Sequence, residues 1–301
     1  MPAAARQQPK SLVAVGALML GALAIATSAL FVKVSEAGPV ATAFWRVALA
    51  LPFLWLWSAL EQRGGHHAAF ARDRKLLIAA GLFFAGDLGF WHWSIVLTSV
   101  ANSTLLANLA PIFVTLAAWL LFHRKLSGKF LVGLATAIAG MVVLIGGDFT
   151  LAGTALLGDA LGVVTAMFYA AYQLTVTKLR ERVATSSIMA WSGLFTAIVL
   201  LPVALASHEQ MLAVTPAGWV KLFGLALISQ VAGQSLIAYA MAHLPATVTS
   251  VGLLFQPVMA AVFAWILLGE AVGALQFAGG IAVLIGIRIV HQAETARGAS
   301  C

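Results

Sequence analysis

The chain alternates long apolar blocks with short polar breaks. Each block holds roughly 20 residues, the length at which an α-helix crosses a hydrocarbon core of about 30 Å. None of the blocks alternates polar and apolar residues in the way that strands of an outer-membrane barrel do. The pattern therefore predicts an all-α polytopic membrane protein with ten transmembrane helices, at residues 12–33, 39–60, 76–98, 101–122, 128–147, 154–177, 185–206, 216–242, 246–268 and 273–291.

The composition agrees with this interpretation, since 62% of the 301 residues are hydrophobic and only 9% are charged. Soluble domains carry about 25% charged residues. Little of the sequence lies outside the blocks, so we expect any function to be carried out within the helical bundle. Cys301 is the single cysteine and offers neither a disulfide framework nor a thiolate metal site. We expect no metal and no cofactor.

The basic residues are distributed unevenly between the two sides of the predicted membrane. If both termini share one side, that side holds 14 of the 17 Lys and Arg residues, whereas Lys33 and Lys221 lie opposite and Arg46 lies within a block. The positive-inside rule then places both termini in the cytoplasm, for a protein of the bacterial inner membrane. The net charge of +7 is a signal of topology, and we expect no nucleic-acid partner.

The two halves of the sequence match each other at an offset of 146 residues. The matches spread over the fourth, fifth, ninth and tenth blocks: Pro111 with Pro257, Ala118 with Ala264, Trp119 with Trp265, Leu121 with Leu267, Gly133 with Gly279 and Gly140 with Gly286. We predict two five-helix repeats, residues 1–150 and 151–301. Because each repeat has an odd number of spans, the second repeat crosses the membrane in the opposite orientation to the first. Inverted repeats of this kind are typical of secondary transporters, whose substrate site lies near the midplane.

The segment PVMAAVFAWILLGEAVGALQFAGGIAVLIGI, with its Gly269-Glu270 pair and spaced glycines, resembles the drug/metabolite transporter superfamily in its EamA-type branch. The resemblance covers almost the whole chain, although His123-Arg124 takes the place of the Gly-Glu pair in the first half. The segment FYAAYQLTVTKL is similar to the aromatic amino-acid exporters of the YddG type. The resemblance implies a secondary transporter that exports small metabolites, amino acids with aromatic or apolar side chains among them, by alternating access.

Polar and aromatic side chains inside the predicted helices fall on single faces at helical spacing. Counting about 1.5 Å per residue from the ends of each block brings most of them to one level near the midplane. Amides inside a membrane also join helices to one another, so packing is the alternative role for each of them. We predict a substrate cavity lined by Asp87, Trp91, Asn108, Tyr169, Tyr172, Trp191, Gln230 and Gln256.

Asp87 lies in the apolar stretch LFFAGDLGFWHW and has three interpretations: a partner for a substrate amine, a proton site, or a packing acid. His92 is five residues away, about 140° around the helix axis, so the two side chains cannot face the same spot. Arg46 is the one basic residue deep in another block, and we expect a structural role for it. Pro111 and Pro257 interrupt helical hydrogen bonding at matching points, either as hinges or as static kinks.

Other function classes fit the sequence less well. Ser192 and His243 lack an acid to orient them and lie at different levels, and no HExxH zinc motif occurs, so we do not expect an enzyme. The sequence shows no filter-like loop and no ring of like charges, so we do not expect a channel. The sequence contains no GxxxxGK[ST] loop, so we do not expect direct use of ATP. Two mechanisms of transport stay open, facilitated diffusion and proton exchange. Proton exchange would also fit the export of other metabolites or drugs.

The predicted topology can be tested with a reporter that is active only outside the cytoplasm. Because 14 basic residues lie on the side of the termini, fusions at residues 148–152 should be active and fusions at 124–129 inactive. A fusion after residue 301 serves as the inactive control. The opposite pattern would contradict both the orientation and the inverted repeat.

Overall fold

The computed structural model describes residues 4–61, 66–98, 100–121, 123, 126–145, 154–268 and 273–299, and no strand occurs within these ranges. The Gly269-Glu270 pair, Arg124 and Cys301, named above, lie outside the described residues. The helices are α1 (Ala4–Ala26), α2 (Ser28–Lys33), α3 (Pro39–Ala48), α4 (Leu51–Glu61), α5 (His66–Leu97), α6 (Val100–Ala107), α7 (Ala110–Leu120), α8 (Gly128–Ile145), α9 (Thr154–Leu179), α10 (Thr185–Ala206), α11 (Pro216–Gly224), a π-helical segment (Leu225–Gln234), α12 (Ser235–Ala240), α13 (Ala246–Gly252), α14 (Phe255–Leu268) and α15 (Ala274–Ala299).

The chain is a multi-pass membrane protein. Within the described ranges, nine helical stretches are long and apolar enough to cross a membrane, and each of them overlaps one of the predicted blocks. The fifth block corresponds to the shorter apolar helix Gly128–Leu144. The all-helical fold is therefore confirmed, whereas a tenth span stays a prediction.

Large apolar side chains occur inside the bundle and on its surface alike. Phe84 and Tyr172 are about 1% exposed in the main core, whereas Leu12 and Leu275 are more than 70% exposed. Lipid tails are as apolar as leucine, so a membrane protein does not bury these side chains preferentially. The exposed residues therefore indicate the surface that faces lipid.

Four of the predicted spans are interrupted. Thr27 separates α1 from α2, Leu49–Ala50 separates α3 from α4, Asn108–Leu109 separates α6 from α7, and Leu253–Leu254 separates α13 from α14. In the last two spans the break precedes Pro111 and Pro257, which lack an N–H and clash with the carbonyl four residues earlier. Both repeat-matched prolines therefore follow a real break, and bending at these points stays a prediction.

The eighth predicted span contains the π-helical segment, which is wider than an α-helix and rare in proteins. α1 packs against it at two glycines. A Cβ on Gly233 would lie 2.8 Å from Cγ1 of Ile25, and a Cβ on Gly21 would lie 2.9 Å from the carbonyl oxygen of Gly233. The contact brings the break at Thr27 close to the π-helical segment.

α8 and α15 pack backbone to backbone through the glycines that the two halves share. A Cβ on Gly140 would lie 2.6 Å from the nitrogen of Val283, and a Cβ on Gly286 would lie 2.5 Å from the nitrogen of Ala137. Residue numbers rise along one helix as they fall along the other, so the helices are antiparallel. At the offset of 146, Gly140 corresponds to Gly286 and Ala137 corresponds to Val283. Each of the two contacts therefore corresponds to the other, and the interface is reciprocal.

Two loop carboxylates bind the starts of helices in the opposite half of the chain. Glu209 accepts hydrogen bonds from the N–H groups of Val40 (2.8 Å) and Ala41 (3.1 Å) at the start of α3. Glu36 accepts hydrogen bonds from the hydroxyl (2.6 Å) and the N–H (2.9 Å) of Thr215 ahead of α11. The hydrogen bonds from Thr215 hold the pKa of Glu36 below its ordinary value. Each carboxylate satisfies N–H groups that have no partner within their own helix.

The glycine interface can be tested by adding one methyl group. Gly286→Ala places a carbon 2.5 Å from the nitrogen of Ala137, so α8 and α15 must separate, at a cost of about 1–3 kcal/mol. We expect a lower Tm for the purified protein in detergent micelles. Gly16→Ala is the control, because no atom lies within 4 Å of its new Cβ. Equal Tm values for the two variants would contradict the close contact.

Candidate functional site

A cavity of about 100 Å³ lies among helices from both halves of the chain. Its walls combine apolar side chains with two charged groups and several amides and hydroxyls. It is lined by Ile25, Ala26, Ser28, Ala29, Arg46, Asp87, Leu88, Trp91, Thr104, Ala107, Asn108, Thr165, Tyr169, Gln234, Gln256, Pro257 and Ala260.

Five of the eight predicted site residues meet at this cavity. Asp87 and Trp91 lie one turn apart on α5, Asn108 lies in the break between α6 and α7, Tyr169 lies on α9, and Gln256 lies on α14. They are far apart in sequence, and counting residues from the span ends placed Asp87, Tyr169 and Gln256 near the midplane, with Asn108 about one turn toward the outside. Their contact with a substrate stays a prediction.

Two of the predicted aromatic residues pack outside the cavity lining. The ring of Tyr172 stacks on Phe84 at 4.7 Å between ring centroids, and its hydroxyl donates to the sulfur of Met189 at 3.8 Å. The ring of Trp191 meets Trp55 edge to face at 4.9 Å. Neither ring is part of the cavity lining. Tyr172 remains close to it, because its ring lies 6.2 Å from that of Tyr169.

Arg46 lines the cavity, although the sequence indicated a structural role for it. Its side chain is buried, with 3% of the residue exposed, and Asp87 lines the same cavity. Gln230, the remaining predicted site residue, accepts a hydrogen bond from Nε of Arg46 at 3.2 Å. Gln230 therefore acts on the cavity through Arg46. The sequence feature that could have identified Arg46 as a cavity residue is its position, since it is the one basic residue deep in a predicted span.

The other polar residues in the lining were not among the predicted site residues, and two of them, Ser28 and Thr165, bond through their hydroxyls to nearby backbone. The carbonyl of Thr104 accepts from Nδ2 of Asn108 at 2.8 Å, and the hydroxyl of Thr165 donates to the carbonyl of Leu161 at 2.9 Å. The hydroxyl of Ser28 donates to the carbonyl of Ile25. Such local bonds satisfy a hydroxyl within its own helix.

Two amides at the cavity carry polar atoms without partners. Oε1 of Gln234 and Nε2 of Gln256 are buried and have no hydrogen-bond partner among the described residues. An unsatisfied buried polar group costs about 1–3 kcal/mol. A ligand that offers a donor to Gln234 and an acceptor to Gln256 would remove both costs. This arrangement favours a polar ligand.

His92 lies behind the cavity and not in its lining. Its Nδ1 is 2.6 Å from the carbonyl oxygen of Leu88, one turn earlier in α5. Its side chain is buried. Across the described part of the chain, no group of three or more His, Cys, Asp or Glu side chains is arranged to hold a metal.

The cavity is small for the ligand class that the sequence predicts. Sites that bury a drug-sized ligand enclose about 300–1,000 Å³, and this one encloses about 100 Å³. A substrate as large as an amino acid with an aromatic side chain therefore requires the walls to move apart. The breaks at Thr27 and Asn108–Leu109 adjoin the lining.

Comparison with known proteins identifies the family. The model of the EamA-like transporter family matches residues 12–146 and again residues 156–291. An uncharacterized transporter of Archaeoglobus fulgidus is 25% identical over 275 residues, which are 90% of this chain and 94% of the relative. The pseudopaline exporter CntI of Pseudomonas aeruginosa is 23% identical over 243 residues, 80% of this chain and 82% of the relative.

A solved crystal structure has the same fold. It is 18% identical in sequence and superposes with a TM-score of 0.79 over 92% of this chain and 95% of the other. At that identity the likeness extends to the fold alone. The resemblance to the EamA-type branch is confirmed by the family match, and the names of the relatives are those of transporters.

The cavity can be tested by thiol labelling of the purified protein in micelles, with Cys301→Ser as the background. Asn108→Cys places a thiol in the lining, so a small water-soluble methanethiosulfonate should modify it readily. Asn102→Cys is the matched control on α6, because Asn102 is only 2% exposed and outside the lining. Equal labelling rates at the two positions would contradict the position of the cavity.

Proposed function

The chain belongs to the EamA-like transporter family, and we propose that it exports small metabolites that carry both polar and apolar groups, in the first place amino acids with apolar or aromatic side chains. The observation that carries the proposal is the mixed lining of the cavity. Buried charges and unpaired amides are expensive inside a membrane and mark substrate pathways there. Aromatic walls lie beside them, at Trp91 and Tyr169.

The lining fits the parts of an amino acid separately. Asp87 provides a carboxylate for an ammonium group, and Gln234 and Gln256 provide an unpaired acceptor and an unpaired donor for hydrogen bonds. The rings of Trp91 and Tyr169 provide apolar area for a side chain. A site of this kind, with a few polar groups in an apolar wall, fixes the orientation of a small ligand.

Alternating access requires two related conformations, and an inverted repeat supplies them. The antiparallel, reciprocal contact of α8 and α15 supports two repeats, residues 1–150 and 151–301, with the second upside down. Ten spans with both termini in the cytoplasm of a bacterial cell follow from the apolar blocks and the basic residues. The widening of the cavity would then use the breaks that precede Pro111 and Pro257.

The direction of transport has support from one relative. The Pseudomonas aeruginosa protein is named for the export of pseudopaline, and it covers 80% of this chain. Outward transport by this chain is the corresponding proposal. Proton exchange is the alternative mode, in which Asp87 would carry the proton.

The proposal can be tested by counterflow in proteoliposomes loaded with phenylalanine, leucine or alanine. We expect counterflow of phenylalanine and leucine, and absence of counterflow for all three would contradict the proposed substrate class. Tyr169→Ala removes a ring from the wall, and an aromatic contact contributes about 0.5–1.5 kcal/mol beyond its area. Phenylalanine transport should therefore fall by about two- to tenfold more than alanine transport.

The matched control is Tyr239→Ala. Tyr239 is outside the cavity lining and its ring packs against His243 at 4.9 Å. We expect this variant to keep the ratio of phenylalanine to alanine transport. An equal loss for both substrates in Tyr169→Ala would show that Tyr169 is not part of a wall for the side chain.

A further inference from the structure

We propose that Arg46 and Asp87 form a charge-balanced pair that selects zwitterionic substrates, with Arg46 as the specificity-determining residue for the anionic group and Gln230 as its positioning residue. The inference rests on the proposed function of the same cavity. It goes beyond that function because it assigns a role to Arg46 and excludes ligands that carry only one charge.

The first step is the cost of a buried cation. Arg46 is 3% exposed, and arginine stays protonated in proteins. A permanent charge in an apolar bundle requires a compensating charge and hydrogen bonds. Asp87 lines the same cavity as Arg46, so an ionised Asp87 would attract the guanidinium across it. The pair therefore lowers the cost that each charge has on its own.

The second step is that no other described acid can take this place. Asp159 is the other acid described within a predicted span interior, and its Oδ1 accepts from the hydroxyl of Thr98 at 2.7 Å, outside the cavity lining. Asp73 is bound by Arg72 at 2.8 Å and by Arg182 at 3.0 Å. The remaining described acids lie at helix ends or in loops. Among the described acids, Asp87 is thus the one that shares the cavity with Arg46.

The third step is the orientation of the guanidinium. Gln230 is fully buried on the π-helical segment, and its Oε1 accepts from Nε of Arg46 at 3.2 Å. Within the described residues, this hydrogen bond uses Nε of the guanidinium. The two terminal nitrogens are therefore left for another acceptor. Their planar fork matches a carboxylate, which it can bind through two parallel hydrogen bonds.

The net charge follows from these contacts. Without substrate, the negative charge of an ionised Asp87 balances the positive charge of Arg46. A zwitterion places its carboxylate on Arg46 and its ammonium on Asp87, so the filled site is balanced as well. A ligand with one charge leaves the other protein charge buried without a partner, which costs more than the contact it makes. The pair thus selects for ligands with both charges.

The binding test uses three probes that share a phenyl ring: phenylalanine with both charges, 3-phenylpropionate with the carboxylate alone, and phenethylamine with the ammonium alone. Titration calorimetry on the purified full-length protein in micelles should give phenylalanine the lowest Kd. The advantage should be about tenfold or more, because each probe with a single charge lacks one of the two charge-assisted hydrogen bonds.

Single substitutions should reverse the preference in opposite directions. Arg46→Gln should make phenethylamine the preferred probe, and Asp87→Asn should make 3-phenylpropionate the preferred one. Arg46→Lys keeps the charge and should keep the original order with weaker binding. Gln230→Leu should weaken phenylalanine and 3-phenylpropionate several-fold and leave phenethylamine unchanged, a difference that a general loss of structure would not produce.

Matched controls are Arg288→Gln and Asp159→Asn, which change the same residue types outside the cavity lining. Both should keep the order of the three probes. An equal loss of all three probes in Arg46→Gln and Asp87→Asn would overturn the proposal.

A second measurement tests the pairing without any ligand. Asp87→Asn leaves a buried cation unpaired and should lower the Tm more than the double variant Arg46→Gln/Asp87→Asn does. Additive losses of Tm would overturn the pairing. If the unsubstituted protein binds none of the probes, the proposed substrate class is wrong, whereas the Tm comparison still supports or overturns the pair.

Discussion

Backbone amides and carbonyls in a hydrocarbon core have no water to bond with, and this constraint governs the whole structure. It explains why helices make up most of each apolar stretch in the described residues. It also explains where helices can stop. Irregular backbone at membrane depth is tolerated only where it is buried in protein or borders a cavity, and the breaks at Thr27 and Asn108–Leu109 adjoin the cavity lining.

The same constraint acts on side chains. The hydroxyl of Thr165 bonds to a carbonyl of its own helix, and the side chains of Ser28 and Asn108 bond to carbonyls of the helix that precedes them. Gln234 and Gln256 depart from this pattern, with one buried polar atom each that has no described partner. Several polar groups at the cavity thus stabilise the fold, whereas the unpaired atoms of Gln234 and Gln256 are groups whose free energy a ligand could lower.

Much of the fold and part of the cavity could be predicted from the sequence. Long apolar blocks and a helical period are local properties, so the positions of the spans and the faces of Asp87, Trp91, Asn108, Tyr169 and Gln256 were readable. The role of Arg46 was not, because the direction of a long side chain depends on partners in other helices. Gln230 lies on a π-helical segment, where the face of a residue cannot be extrapolated from a period of 3.6. Tyr172 and Trp191 illustrate a third limit, since a deep aromatic residue has the same pattern whether it lines a cavity or supports its wall.

The glycine contact between α8 and α15 has a consequence for the kinds of motion that the bundle permits. Gly133 and Gly140 lie seven residues apart on α8, and Gly279 and Gly286 lie seven apart on α15. Each of these glycines faces the backbone of the other helix, in a space that admits no Cβ. If one helix slid along the other by a single turn, a residue with a side chain would take the place of each glycine and clash with that backbone. A rotation about the crossing point keeps each glycine opposite backbone. The interface therefore restrains translation along the helix axes and leaves tilting as the lower-energy displacement.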